Sequence, residues 1–135
     1  MVGFYFDAQI RFHGILVDGA QLMEIQVPGI AQPDPCGITD DGTIAGNADD
    51  TGFVLKDGVV QVIEVPGATL TELFGIRNDG TVYGRYIDAG GVHHGFVATP
   101  NGKPLVQHRS RGPRGADVVA ADCSAGSKRW FCRMR

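Results

Sequence analysis

The sequence predicts an all-β fold of antiparallel four-stranded repeat units, and three observations carry that expectation. The chain repeats itself. Gly75-Ile76-Arg77-Asn78-Asp79-Gly80-Thr81-Val82-Tyr83-Gly84 echoes Gly37-Ile38-Thr39-Asp40-Asp41-Gly42-Thr43-Ile44-Ala45-Gly46, 38 residues upstream. His94-Gly95-Phe96-Val97 echoes Thr51-Gly52-Phe53-Val54 and His13-Gly14-Ile15-Leu16, and Val62-Ile63-Glu64-Val65-Pro66-Gly67 echoes Glu24-Ile25-Gln26-Val27-Pro28-Gly29. The second observation is punctuation: 20 of 135 residues are glycine, roughly twice ordinary usage, and Asp-Gly and Asn-Gly pairs supply the positive φ that a tight hairpin turn requires. The third is that β-branched and aromatic residues fill the runs between turns, with no sustained helical period. Four short strands in about 40 residues is the size of a propeller blade. The expected architecture is therefore β-propeller-like, as a partial array or one completed by dimerisation.

Taken in order, the chain opens inside a unit. Val2–Ala8 matches the part of the third repeat around Gly84–Ala89, and the 11-residue spacing of Gly3 to Gly14 equals that of Gly84 to Gly95. The first repeat is thus expected to lack its leading strand. In a full unit a short first strand, around Gly37-Ile38 or Phe74-Gly75-Ile76, meets the turn Asp41-Gly42 or Asp79-Gly80. The second strand is Thr43–Ala48 or Thr81–Ile87, and the third is Gly52–Leu55 or His94–Ala98. A turn at Asp57-Gly58 or Asn101-Gly102 leads to the fourth, Val59–Val65, whose counterpart in the first repeat is Gln21–Val27. It stops at Pro-Gly. The segments Gly67–Phe74 and 30–36 read as links between units, the second kept from helix by Pro33 and Pro35. The division is a β-repeat domain over 1–102, with two full units and one partial unit, and an irregular basic C-terminal segment over 103–135. Within that segment Pro104–His108 is a candidate strand, and Trp130 and Phe131 could cover an open blade.

The charge is uneven. Residues 1–102 hold 4 Lys/Arg against 13 Asp/Glu, a net of −9, and residues 103–135 hold 8 against 2, a net of +6. An acidic body argues against nucleic-acid binding by the repeats, and the basic end reads as a solvated tail. Cys36, Cys123 and Cys132 do not form a regular disulfide framework, although Cys123 and Cys132 could pair and leave Cys36 free. No segment is long and apolar enough to span a membrane. The N-terminus has no basic region leading into an apolar run, so the chain as given is expected to stay in the cytoplasm.

The unit G-I-x-D/N-D-G-T-I/V-x-G, followed by Y-x-D-A, H-G-F-V and V-P-G, resembles the HAF repeat family over Val2 to Gly102. That resemblance implies a propeller-like protein and, for a longer parent chain, an extracytoplasmic location. It brings no catalytic constellation. The middle unit departs from the pattern, with Asn47-Ala48-Asp49-Asp50 in place of the longer Tyr-x-Asp-Ala loop and Thr51 in place of the His before Gly-Phe.

Three residue groups could carry chemistry. His13 and His94, at equivalent positions, are the candidate acid–base groups. A His recurring in a repeat more often bonds a turn, and Thr51 shows that the position tolerates replacement. His93 and His94, as strand neighbours, are expected on opposite faces and make a poor metal pair. Asp34, Asp40, Asp41, Asp49, Asp50, Asp79 and Asp88 cluster near strand ends. Calcium takes six to eight oxygens, and several loops on one face could supply them, although turn formation alone explains Asp at these positions. No G-x-S-x-G elbow is present, and Cys36, in an apolar, proline-rich setting, is expected to be inert. Tyr5, Tyr83 and Tyr86 are expected as exposed aromatics suited to a carbohydrate or peptide ligand. The expectations that follow are a binding module acting through its loop face, or a calcium-dependent hydrolase of lactonase or esterase type using metal-activated water. Either would work as a homo-oligomer or strand-completed assembly, because a partial array leaves strand edges open.

Overall fold

The computed structural model describes residues 1–100, 118–125 and 130–134, with side chains described for 1–100. It is all-β, with no helix among the described residues. The first sheet holds β1 (Val2–Phe6), β2 (Phe12–Asp18) and β3 (Gln21–Glu24) in the order β1-β2-β3. The second holds β4 (Asp34–Ile38), β5 (Ile44–Ala48), β6 (Thr51–Lys56) and β7 (Val59–Ile63) in chain order. The third holds β8 (Ala68–Ile76), β9 (Val82–Asp88), β10 (His93–Thr99), β11 (Val118–Ala125) and β12 (Trp130–Met134) in the order β12-β11-β10-β9-β8. No helix among the described residues is long and apolar enough to cross a membrane.

The repeat read in the sequence is a repeat in register. Gly46 stands opposite Phe53 in the second sheet, Gly84 opposite Phe96 in the third and Gly3 opposite Ile15 in the first. The four-stranded unit of the second sheet, β4 to β7, is the expected one. The third sheet follows it through β8, β9 and β10 and then departs. The expected fourth strand at Pro104–His108 and its turn at Asn101-Gly102 lie outside the described residues, and β11 pairs with β10 in parallel, Gly95 opposite Val118. β12 then returns antiparallel to β11. The C-terminal segment, irregular by its sequence, thus contributes two strands.

The leading strands also run longer than expected. Gly67–Phe74 and 30–36, read as links, enter β8 and β4. The cause is local. Each leading strand is bulged at the same place, between Pro35 and Gly37 and between Leu73 and Gly75, and β8 has a second shift between Ala68 and Leu70. Bulges break the two-residue alternation by which a strand is recognised.

The turns after the leading strands are alike. Thr39 N–H donates to Thr43 O at 2.9 Å and Arg77 N–H to Thr81 O at 2.8 Å. Gly42 and Gly80 take positive φ, 84° and 83°. Two cores lie between sheets. One joins the second and third sheets through Ala45, Val54, Ile63, Val65, Leu73, Val82, Tyr86, Phe96 and Ala98; the other joins the first and second through Ile25, Val27, Ile44 and Phe53. Alternation along β9 explains the allocation: Val82, Gly84 and Tyr86 face inward while Tyr83 and Arg85 face outward. Tyr86 was expected to be exposed and is buried, whereas Tyr5 and Tyr83 are exposed.

Candidate ligand-binding cleft and the Tyr-His-Asp clamps

Antiparallel strands place successive turns at opposite ends of a sheet, and this divides the acidic residues. The turns at 39–43 and 77–81 lie at one end, where Lys56 at the end of β6 reaches Asp41 at 2.9 Å. The loops at 7–11, 49–50 and 88–92 lie at the other. Asp40, Asp41 and Asp79 are therefore at the opposite end from Asp49, Asp50 and Asp88. Most serve their own turns. Asp41 accepts from the hydroxyls of Thr39 and Thr43, and with Lys56 these hold its carboxyl well below the usual carboxylate range. Asp79 accepts from Thr81 N–H at 2.9 Å, and Thr81 lowers its pKa. Asp40 is tied to the third sheet, since Asn78 Nδ2 donates to it at 2.6 Å while Asp40 N–H donates to Asn78 Oδ1 at 3.0 Å. Asp49 takes positive φ, 50°, at the β5–β6 turn, and Asp50 O accepts from Thr71 N–H at 2.8 Å. Among the described residues no three His, Cys, Asp or Glu side chains come together as a metal site.

The other end holds two copies of one device. Tyr5 and His13 are cross-strand neighbours, and so are Tyr86 and His94. Each imidazole stacks on its tyrosine, with ring centroids 4.9 Å and 4.8 Å apart. Each then reaches an aspartate: His13 Nε2 lies 3.1 Å from Asp7 Oδ2 and His94 Nε2 2.9 Å from Asp88 Oδ2. The aspartate's other oxygen shapes the loop. Asp7 Oδ1 accepts from the N–H groups of Gln9 and Arg11, and Asp88 Oδ1 from those of Gly90 and Val92, all at 2.9 Å. Ile10 and Gly91 occupy the matching positive-φ position. A spacing of Tyr, two residues to Asp, six more to His, thus builds a loop clamp in the first and third units, and the short β5–β6 turn replaces it in the second.

The copies differ in their further contacts: Arg11 Nε donates to Asp7 Oδ2 at 2.7 Å, where the third unit has Val92, and His13 has a second carboxylate. His13 Nδ1 lies 2.9 Å from Glu24 Oε1, so both ring nitrogens face carboxylates that can only accept. The Glu24 contact first, then Asp7, pushes the His13 pKa up. His93 is on the other face, as expected of a strand neighbour, with Nδ1 3.5 Å from an Arg85 nitrogen.

Beside the clamps lies a cleft of about 400 Å³ lined by Phe12, Gln32, Asp34, Asn47, Ala48, Asp49, Leu70, Thr71, Glu72 and Arg85. Glu72 and Arg85 are cross-strand neighbours joined by an ion pair. Asp34 and Asn47 are the corresponding pair of the second sheet. Asn47 spans the two sheets, accepting from Leu73 N–H at 2.7 Å and donating to Leu73 O at 3.0 Å. The Asp34 carboxylate has no hydrogen-bond or ion-pair partner among the described residues. Partial burial, with the Glu72 charge added, pushes its pKa up. Burial likewise drives the Cys36 thiol up to about 11, so at neutral pH it is protonated and a poor nucleophile.

Sequence reading picked out Asp34 and Asp49 but missed Glu72, Arg85, Asn47, Gln32 and Phe12. The signal was in the repeat: positions 34 and 47, moved by the 38-residue offset, become Glu72 and Arg85, so two polar pairs recur where strands face each other. No family model, curated protein or solved structure matches the chain.

Proposed function

We propose that this chain is a propeller-type β-repeat module of the HAF kind that binds a ligand rich in hydrogen-bond donors, a carbohydrate or a peptide amine, in the cleft between Asp34 and Arg85. The observation that carries this reading is the unpartnered Asp34 carboxylate in a cleft whose cation, Arg85, is already paired with Glu72 and whose lining adds a further carboxylate, Asp49. An ionised carboxylate offers acceptor sites only, so its complement is a hydroxyl or ammonium group. Phe12 and Leu70 supply apolar wall for the ligand's carbon face, and the clamped loop at 7–11 lies beside the Phe12 side. A calcium-dependent hydrolase would draw on fewer of the candidate carboxylates than the sequence offers, since Asp40, Asp41 and Asp79 lie at the opposite end from the cleft that holds Asp34 and Asp49.

Calorimetric titration with a panel of neutral oligosaccharides and lysine-containing peptides tests the proposal. Asp34→Asn keeps the shape and removes the charge; it should weaken the best ligand about tenfold, or ~1.4 kcal/mol, in line with loss of a charge-assisted hydrogen bond. Its urea midpoint should stay within error of the parent. Unchanged affinity in Asp34→Asn and in Arg85→Ala would show that the cleft is not the binding site.

A further inference from the structure

The geometry points to the outer edge of β1 as the docking site for one further strand of the repeat's own leading type, antiparallel to β1 and carrying an apolar residue opposite Phe4. The three sheets allow an internal comparison. β5 and β9, the counterparts of β1, are each covered on that side by a leading strand, β4 and β8. β1 is the edge strand of its sheet, with its far side unpaired among the described residues. A row of unpaired N–H and C=O groups is a template for strand addition.

The glycines give the register. A leading strand bulges as it passes the glycine of its neighbour. A Cβ built on Gly84 would lie 2.0 Å from Glu72 O, and one on Gly46 would lie 2.5 Å from Asp34 O. Gly is thus required there by close backbone approach. Gly3 occupies the same place in β1, yet a Cβ on it would meet only Ile15 Cγ1, at 3.9 Å. Nothing in the described chain explains a glycine at position 3, and a bulged strand laid against it would.

The residue beside that bulge gives the chemistry. Glu72 stands opposite Arg85 and Asp34 opposite Asn47; in both sheets an acidic residue of the leading strand faces a polar one. The corresponding residue of β1 is Phe4, half exposed and grouped with Phe6 and Phe12, its ring stacked on Phe12 at 4.6 Å. A carboxylate facing that cluster would be desolvated with no partner. An apolar side chain would form the aromatic–aliphatic cross-strand pair that sheets favour. The edge therefore discriminates against the acidic leading strands of this chain, β4 and β8, and selects an apolar one.

The probe is a fluorescent peptide with the sequence of residues 68–77 carrying Glu72→Leu, added to the full chain and followed by anisotropy and by amide exchange. It should bind and slow exchange in β1. The same peptide with Glu72 retained should bind at least fivefold more weakly. Gly3→Val in the protein should abolish binding while leaving its circular dichroism and melting temperature close to the parent's, because a Cβ there meets nothing closer than 3.9 Å in the bare edge. Equal binding by the two peptides, full binding by Gly3→Val, or protection at β3 or β12 instead of β1 would overturn the assignment. So would a dimer in sedimentation whose two β1 edges protect each other, since that edge would then be self-complementary.

Discussion

At the scale of single residues, His13 has the most distinctive setting. Neutral imidazole has one N–H, and so can donate to only one of Asp7 and Glu24; the cation donates to both. The fold therefore favours the cation and raises its pKa. The sign of the consequence follows from linkage. With the folded value above the unfolded value of about 6.5, the clamp's contribution is fully present below pH 6.5 and is lost as pH rises through the folded value. Asp7 works in the opposite direction. Its folded value is depressed, chiefly by the Arg11 backbone N–H, so its contribution is present above the unfolded value of about 3.9 and fades in acid. The clamp of the first unit is therefore favoured between these limits. In an NMR titration the His13 ring should titrate above 6.5, and Glu24→Gln should bring the midpoint down while Asp7 still holds Nε2. A midpoint unmoved by Glu24→Gln would show that the contact does not set the charge.

At the scale of elements, the strands and turns were legible and the bulges were not. Asp-Gly turns and alternating runs located the strands of the second sheet to within a few residues, because those signals are local. β8 was hidden because its two register shifts scramble the alternation over Gly67–Phe74. β11 was hidden because Val118–Ala125 pairs in parallel with a distant strand, and nothing local encodes that. Tyr86 was misplaced for a related reason: its burial depends on which face of β9 meets the second sheet, a tertiary fact. The candidate cleft was legible only in part, since Asp34 and Glu72 earn their place through register rather than spacing. The bulge itself is testable. Gly84→Ala puts a methyl within 2.0 Å of a backbone carbonyl, which no side-chain rotation relieves, and should cost at least the ~1–3 kcal/mol of overpacking. Gly3→Ala meets nothing closer than 3.9 Å and should stay within about 0.5 kcal/mol of the parent. Urea denaturation of the two variants reads the difference, and similar losses in both would mean that the glycines serve strand flexibility rather than close approach.

At the scale of the whole molecule, stability is distributed between sheets rather than within one core. Each core cluster joins neighbouring sheets, as in repeat arrays whose energy is a sum of units and nearest-neighbour interfaces. The two interfaces are unequal. Between the second and third sheets lie two large aromatic side chains, Tyr86 and Phe96, with Ile63, Val65, Leu73 and Val82 almost fully excluded from solvent. That boundary is also sewn by polar bonds: Asn47 to both backbone groups of Leu73, Asp50 O to Thr71 N–H, and Asp40 to Asn78. Between the first and second sheets the buried set is Ile25, Val27, Ile44 and Phe53, and the strands of the first sheet are largely exposed or half-buried. Cooperative units open according to the contacts that hold them. Amide exchange under native conditions should therefore show β1, β2 and β3 opening at lower free energy than β5, β6, β8 and β9. Asn47→Ala, which strips the partners from Leu73 N–H and O, should narrow the gap by lowering the second and third sheets about 1–3 kcal/mol. The first sheet, with no bond to Asn47, should keep its own opening free energy. Equal opening energies in all three sheets would mean instead that the array unfolds as one unit, with its weaker interface as strong as the stronger.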